Sequence, residues 1–339
     1  MLELLHLRSQ DTMRTLTLPD GFLGNSTPRL RDIHLFGTAF PTLPSLLLSA
    51  EALVSLRLDE IPNAGYFSPE ALANSLSKAV QLKVLKIDFL PPNTHERSMD
   101  ASPPSRTILP ALVEFAFKGN PEYLEDLVSR IDAPALEQIN ITFLERPTFG
   151  IPRLSRFISR TKELKSPYRV SINLYEDDIT ITHHSRRSSS DSKTFQLRIP
   201  CDELDRQIPL IIHVCRHLSE LLSGVERLDV VGFPLLSLWT EREEMDSTLW
   251  LELFRPFRGV KRLEVTGGLV TGVSSALERV AGEMARIVLP ALRDLYLFDS
   301  LPSVPSSIKQ FVVARQFYNH PVAVHLEKDG SLDHGSEDG

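Results

Sequence analysis

Cysteine is scarce in this chain of 339 residues: only Cys201 and Cys215 are present. Two cysteines cannot build a disulfide framework and offer no zinc-type C-x2-C pair. They read as free thiols of a reducing compartment. A long apolar run is also missing; nothing approaches the roughly 20 residues needed to cross a bilayer, so no membrane partner is expected. Positive charge is not in excess either. The formal net charge is -7, which argues against a nucleic-acid partner. The opening Met1-Leu2-Glu3-Leu4-Leu5-His6-Leu7-Arg8 has no basic lead, no sustained apolar core and no small-residue cleavage site, so it does not read as a secretion signal. A cytoplasmic or nuclear protein is expected, and the glycosylation sequons at Asn25 and Asn140 read as chance matches.

Catalytic signatures are absent as well. Gly272-Val273-Ser274-Ser275-Ala276 lacks the closing glycine of a nucleophile elbow. No phosphate-binding G-x-x-x-x-G-K-[ST] loop and no H-E-x-x-H occur. Gly267-Gly268 before a helix reads as a turn. His183-His184 would point to opposite sides of a strand and read as part of a solvated loop. His213 and His217, four apart, share a helix face but have no third ligand in the pattern. Trp250, Leu251, Leu253 and Phe254 read as core packing. No enzyme activity, cofactor or metal is expected.

What is abundant is a repeat. The pattern apolar-x-x-apolar-x-apolar returns as Leu2/Leu5/Leu7, Met13/Leu16/Leu18, Leu30/Ile33/Leu35, Leu53/Leu56/Leu58, Leu82/Leu85/Ile87, Leu112/Phe115/Phe117 and Leu136/Ile139/Ile141. It resumes as Val225/Leu228/Val230, Val260/Leu263/Val265 and Leu292/Leu295/Leu297. Beyond the first two copies and a gap at 145–224, the spacing is about 23–35 residues, within the range of solenoid repeats. Proline turns introduce several copies: Pro28, Leu109-Pro110-Ala111, Ala133-Pro134-Ala135 and Leu289-Pro290-Ala291. The last two apolar residues of each triplet face one side of a strand; the first enters the core from the preceding turn. A lone strand cannot bury that face, but a stack of parallel strands backed by helices can.

The intervening segments supply the helices. Ser68-Pro69-Glu70 and Asn120-Pro121-Glu122 each combine an N-cap, a proline at N1 and an acidic first turn. Further helices are predicted over 43–52, 151–163, 203–223, 246–254, 273–287 and 304–318. The fold class is therefore α/β, an open leucine-rich-repeat-like solenoid with a parallel inner sheet and outer helices, over residues 1–326. Two inserted loops are expected, at 91–108 and 176–193. The second is flanked by the β-like runs Val170/Ile172/Leu174 with Ile179/Ile181, and Phe195/Leu197/Ile199, giving a strand pair with a long tip. Residues 327–339 are expected to be a disordered tail.

The C-terminal third carries Ile208-Pro209-Leu210, Leu221-Leu222-Ser223-Gly224-Val225-Glu226-Arg227-Leu228-Asp229-Val230, Trp250-Leu251-Glu252-Leu253-Phe254-Arg255-Pro256-Phe257 and Gln310-Phe311-Val312-Val313-Ala314-Arg315-Gln316. These stretches, with the strand pattern, resemble the leucine-rich-repeat region of F-box proteins of mushroom-forming fungi. The resemblance implies a substrate-recognition region of a Skp–cullin ubiquitin ligase subunit, with the ligase chemistry on other subunits. The alternative is a stand-alone leucine-rich-repeat interaction protein with no ubiquitin link. The asparagine that such repeats carry three residues after the last strand leucine is matched by Asn120 alone. An F-box opening is not found, so a truncated gene model or a lost adaptor-binding module is expected. A Skp-type adaptor would be a partner only if an F-box lies upstream.

Residues alternating with the buried pair should line the concave face and meet a protein target. The central column is His6, Thr17, His34, Arg57, Lys86, Ala116, Asn140, Asp229, Glu264 and Tyr296. The next column includes Phe36, Asp59, Asp88, Lys118, Thr142, Val231, Thr266 and Phe298. The candidate partner-binding residues are His34, Arg57, Lys86, Asn140, Asp229, Glu264, Tyr296 and Phe298. The first half of the column tends basic and the second acidic, which would favour a partner of opposite polarity. Arg186-Arg187-Ser188-Ser189 is a sequence that basophilic kinases accept.

Overall fold

A computed structural model describes residues 2–9, 16–91, 106–147, 150–161, 164, 167–185, 193–232, 247–280, 287–298 and 303–327. The principal strands in chain order are β1 (Leu4–Arg8), β2 (Asp32–Phe36), β3 (Ser55–Ile61), β4 (Val84–Phe89), β5 (Glu114–Gly119), β6 (Gln138–Phe143), β7 (Arg169–Leu174), β8 (Asp178–His184), β9 (Lys193–Pro200), β10 (Arg227–Gly232), β11 (Arg262–Thr266), β12 (Asp294–Phe298) and β13 (Ala323–Glu327). The helices are α1 (Leu43–Leu47), α2 (Pro69–Ser75), α3 (Pro121–Arg130), α4 (Pro152–Arg160), α5 (Leu204–His217), α6 (Ser219–Leu222), α7 (Ser247–Phe254), α8 (Leu269–Glu278) and α9 (Ser306–Phe317). The chain forms two compact units, one of residues 1–165 and 193–200, the other of 166–192 and 201–339.

In the first unit the sheet order is β1-β2-β3-β4-β5-β6-β9, all parallel. The register aligns the triplets: Leu5, Ile33, Leu56, Leu85, Phe115, Ile139 and Phe195 form one row. Leu7, Leu35, Leu58, Ile87, Phe117, Ile141 and Leu197 form the next. Apart from the half-buried Leu7, all of these are buried. Burial of such a side chain contributes about 1.5–3 kcal/mol.

In the second unit the order is β8-β7-β10-β11-β12-β13, parallel except for the antiparallel hairpin β7–β8. Its buried rows are Val170, Leu228, Leu263, Leu295 and Ile172, Val230, Val265, Leu297. The expected strand pair with a long tip is replaced by this hairpin, whose strands are joined across 175–177, while the Phe195 run lies in β9 beside β6; Asp178–His184 is strand and not loop. The final apolar rung, Val324 and Leu326 on β13, extends through Glu327, so the strand takes in the first residue of the expected tail.

The first apolar residue of the triplet has one repeated task in eight of the copies. Its amide donates to the carbonyl three residues back, closing a β-turn: Leu30 to Thr27, Leu53 to Ala50, Leu82 to Ala79, Leu112 to Leu109, Leu136 to Ala133, Val225 to Leu222, Val260 to Phe257 and Leu292 to Leu289. Where proline occurs it takes the second turn position, where its fixed φ fits. The triplet is thus a turn residue followed by two inward strand residues.

Helix starts follow the expected chemistry. The Ser68 hydroxyl accepts the Ala71 amide at 3.1 Å, and the Asn120 side-chain Oδ1 accepts the Glu122 amide at 2.8 Å. Asn120 therefore caps its own helix. The predicted 203–223 helix breaks at Leu218 (φ -92°, ψ 9°), giving α5 and α6. The predicted 273–287 helix begins earlier, at Leu269, directly after Gly267 turns the chain with a φ of 63°. Leu16–Thr17 pairs only with Thr38–Ala39, while β1 pairs directly with β2. The copy Met13/Leu16/Leu18 is therefore not a rung of the main sheet, and Thr17 leaves the central column. Among the described residues no helix is long and apolar enough to cross a membrane.

Candidate protein-interaction face

The alternate residues of the first unit align as expected: His6, His34, Arg57, Lys86, Ala116, Asn140 and Gln196 stand in register on neighbouring strands. Three of the nominated residues are side by side here. Their charges differ in availability. Asp59, buried in the adjacent column, takes His34 Nε2 at 2.8 Å and Lys86 Nζ at 2.6 Å. Arg57 lies between them, is exposed, and makes no ion pair among the described residues. The neighbouring pairs His6–Asp32 at 3.0 Å and Lys118–Asp88 at 3.3 Å are also closed. Burial raises the Asp88 carboxyl from its usual range, and the Lys118 ammonium opposes that rise. The basic half of the column is therefore mostly self-neutralised, with Arg57 as the cation left for a partner. Asn140 is exposed beyond it.

In the second unit Asp229, Glu264, Tyr296 and His325 share a row. The expected free acidic surface is not formed. Asp229 is 2% exposed and Glu264 8%. Asp229 accepts from Arg169, from Ser171 Oγ at 2.8 Å and from Arg227 Nε at 3.2 Å. Glu264 pairs with Arg227 at 2.8 Å and with Arg262. The arginines occupy the column preceding the central one, Arg169, Arg227 and Arg262 in register. Burial works against the Arg227 charge, but Asp229 and Glu264 outweigh it and hold the guanidinium more firmly protonated than usual. Buried carboxylates persist only when paired in this way, so Asp229 and Glu264 build the face and do not read a partner's charge.

No protein-family model matches the chain, and no curated protein gives a significant match.

Tyr296 and Phe298 are half-exposed, and their rings stack at 6.5 Å. Arg262 lies over the Tyr296 ring at 3.8 Å, and His325 stacks on it at 4.3 Å. A rigid, half-exposed aromatic held between a cation and an imidazole loses little side-chain entropy on binding, which suits an interface anchor. Arg262 and His325 were not among the nominated residues. Arg262 belongs to the outward column before the central one, and the β13 segment carries no apolar triplet that would mark it as a strand.

The histidine pairs resolve separately. His183 is 1% exposed on β8 and not in a solvated loop. Burial, and next the neighbouring His184, lower its pKa to about 3. His213 and His217 do share a face of α5, ring centroids 5.1 Å apart; no group of three ligand-type residues stands together among the described residues. Trp250, Leu253 and Phe254 are buried as expected, whereas Leu251 is only half-buried. The Arg186-Arg187-Ser188-Ser189 segment lies outside the described residues.

Proposed function

We propose that this chain is a protein-binding scaffold, built as leucine-rich-repeat-like solenoid turns, that serves as the substrate-recognition region of an F-box-type subunit of a Skp–cullin ubiquitin ligase. The observation carrying the binding role is the register. Parallel strands put one outward side chain per rung into a row, opposite rows that are buried. In the first unit that row presents Arg57, which has no ion pair among the described residues; in the second it presents Tyr296, with Phe298 two places further along the same strand. The turn-strand-helix repeat supports the solenoid reading. The ubiquitin link rests on the resemblance of the C-terminal third to fungal F-box proteins.

Affinity capture from the cells that express the chain tests both parts. A target retained by the wild type and lost with Arg57→Glu or Tyr296→Ala, at unchanged circular dichroism, supports the binding role. Equal capture by all three proteins contradicts it. Co-recovery of a Skp-type adaptor supports the ligase assignment, whereas capture of a target without any adaptor favours the stand-alone interaction protein.

A further inference from the structure

The first unit also carries a pocket of about 610 Å³, and none of its lining residues belongs to the principal strands. Asn74 comes from α2, Ser77 from the following 3-10 turn, and Arg130 from the end of α3. Arg106, Thr107 and Ile108 come from the segment that pairs with Ile131–Asp132. The Thr107 hydroxyl donates to the Ala73 carbonyl at 2.8 Å, which ties this segment to α2.

Its electrostatics are lopsided. Asp132 is shared by two guanidinium groups, Arg160 at 2.9 Å and Arg106 at 3.8 Å. Arg106 spends its Nε on the Ser129 carbonyl at 3.1 Å. Arg130 makes no ion pair among the described residues, and its Nε is shielded from solvent without an acceptor. A shielded guanidinium donor without an acceptor is costly. Arg160 responds to the crowding: burial lowers its pKa, Asp132 opposes this, and Arg106 and Arg156 lower it further. The pocket lining holds two arginines, Arg106 and Arg130, and no carboxylate among the described residues, so positive charge is in surplus where an acceptor is missing.

We infer that this pocket binds a phosphate monoester, with Arg130 and Arg106 as its two guanidinium forks and Ser77 and Asn74 as further donors. A dianion with three terminal oxygens matches paired planar donors plus hydroxyl and amide groups better than a carboxylate does. The pocket is much larger than phosphate alone, and Ile108 offers an apolar wall for whatever carries the ester. The carrier is either a phosphorylated side chain of a peptide or a small phosphorylated molecule.

Calorimetric titration of the full chain with inorganic phosphate, phenyl phosphate and a phosphoserine peptide tests it. Phenyl phosphate is expected to bind, and Arg130→Gln and Arg106→Gln should each weaken it by about tenfold or more, with circular dichroism unchanged. Tighter binding of the phosphopeptide than of phenyl phosphate, with no binding of its unphosphorylated form, assigns a peptide carrier; equal or weaker binding assigns a small molecule. Should Arg130→Gln unfold the chain, the exposed Arg106→Gln carries the comparison. Absence of binding by all three probes at about 10 mM, or binding unchanged in Arg106→Gln, overturns the inference.

Discussion

The Glu125 carboxylate on α3 accepts the backbone amide of Leu154, the third residue of α4, at 2.8 Å. Its other oxygen takes the Arg153 amide at 2.9 Å. α4 opens on Ile151-Pro152 with no side-chain cap of its own, so the neighbouring helix supplies one, and a negative charge there also complements the helix dipole. Glu125→Ala should lower unfolding stability by about 2 kcal/mol, as expected for loss of a charge-assisted cap. Urea denaturation reads this directly; an unchanged midpoint would contradict the capping role.

Leu56 and Arg57 are adjacent on β3 but face opposite ways, one fully buried and the other exposed. Leu56→Ala should cost about 2–5 kcal/mol. Arg57→Ala should stay within about 0.5 kcal/mol because no ion pair is lost. Similar losses for both would mean that the strand is not one-sided.

Gly272 in α8 packs against the indole of Trp250: a Cβ there would stand 2.8 Å from Trp250 Nε1. Trp250 is fully buried and cannot swing away. Gly272→Ala should therefore destabilise the chain by about 1–3 kcal/mol through overpacking, outweighing the gain in helix propensity. Gly224, with open space around its Cβ position, is the control, and Gly224→Ala should be neutral or slightly stabilising. A higher melting temperature for Gly272→Ala than for the wild type would refute the packing assignment.

His183 ties stability to pH. Its folded pKa of about 3 lies below the ordinary 6.5 because burial disfavours the charged ring. Between those values the unfolded chain binds the extra proton, so stability is full above about 6.5 and is lost as pH falls toward 3. Unfolding midpoints at pH 7 and pH 5 should therefore differ less for His183→Gln than for the wild type. An identical pH dependence in both proteins would show that His183 is not held neutral.

Much of the architecture is legible because the turn residue and the two inward strand residues are all apolar. Leu30, Leu53, Leu82, Leu112, Leu136, Val225, Val260 and Leu292 each mark a rung in advance. Three strands lack the triplet, so the runs at Val170 and Phe195 read as an inserted strand pair and the one at Val324 does not read as a strand. Three residues before Val170 and before Val324 the chain has Pro167 and Pro321, so a proline stands where the pattern needs an aliphatic residue. Phe195 is preceded at that spacing by Ser192. The face was legible as a set of columns but not in its charge state. Asp229 and Glu264 look like a free acidic patch until their arginine partners are counted. Arg227–Asp229 and Arg262–Glu264 stand two apart on one strand, whereas Arg169–Asp229 and Arg227–Glu264 cross between strands and depend on register, which no single segment encodes.

The most direct measurement places a photo-crosslinking amino acid at position 57 in cells and, as a control, at the exposed position 51 just after α1. Adducts are then identified by mass spectrometry. The account predicts a discrete protein adduct from position 57 that is absent from position 51. Equal labelling from both positions, or a specific adduct from position 51 alone, would contradict the assignment of the strand face as the recognition surface.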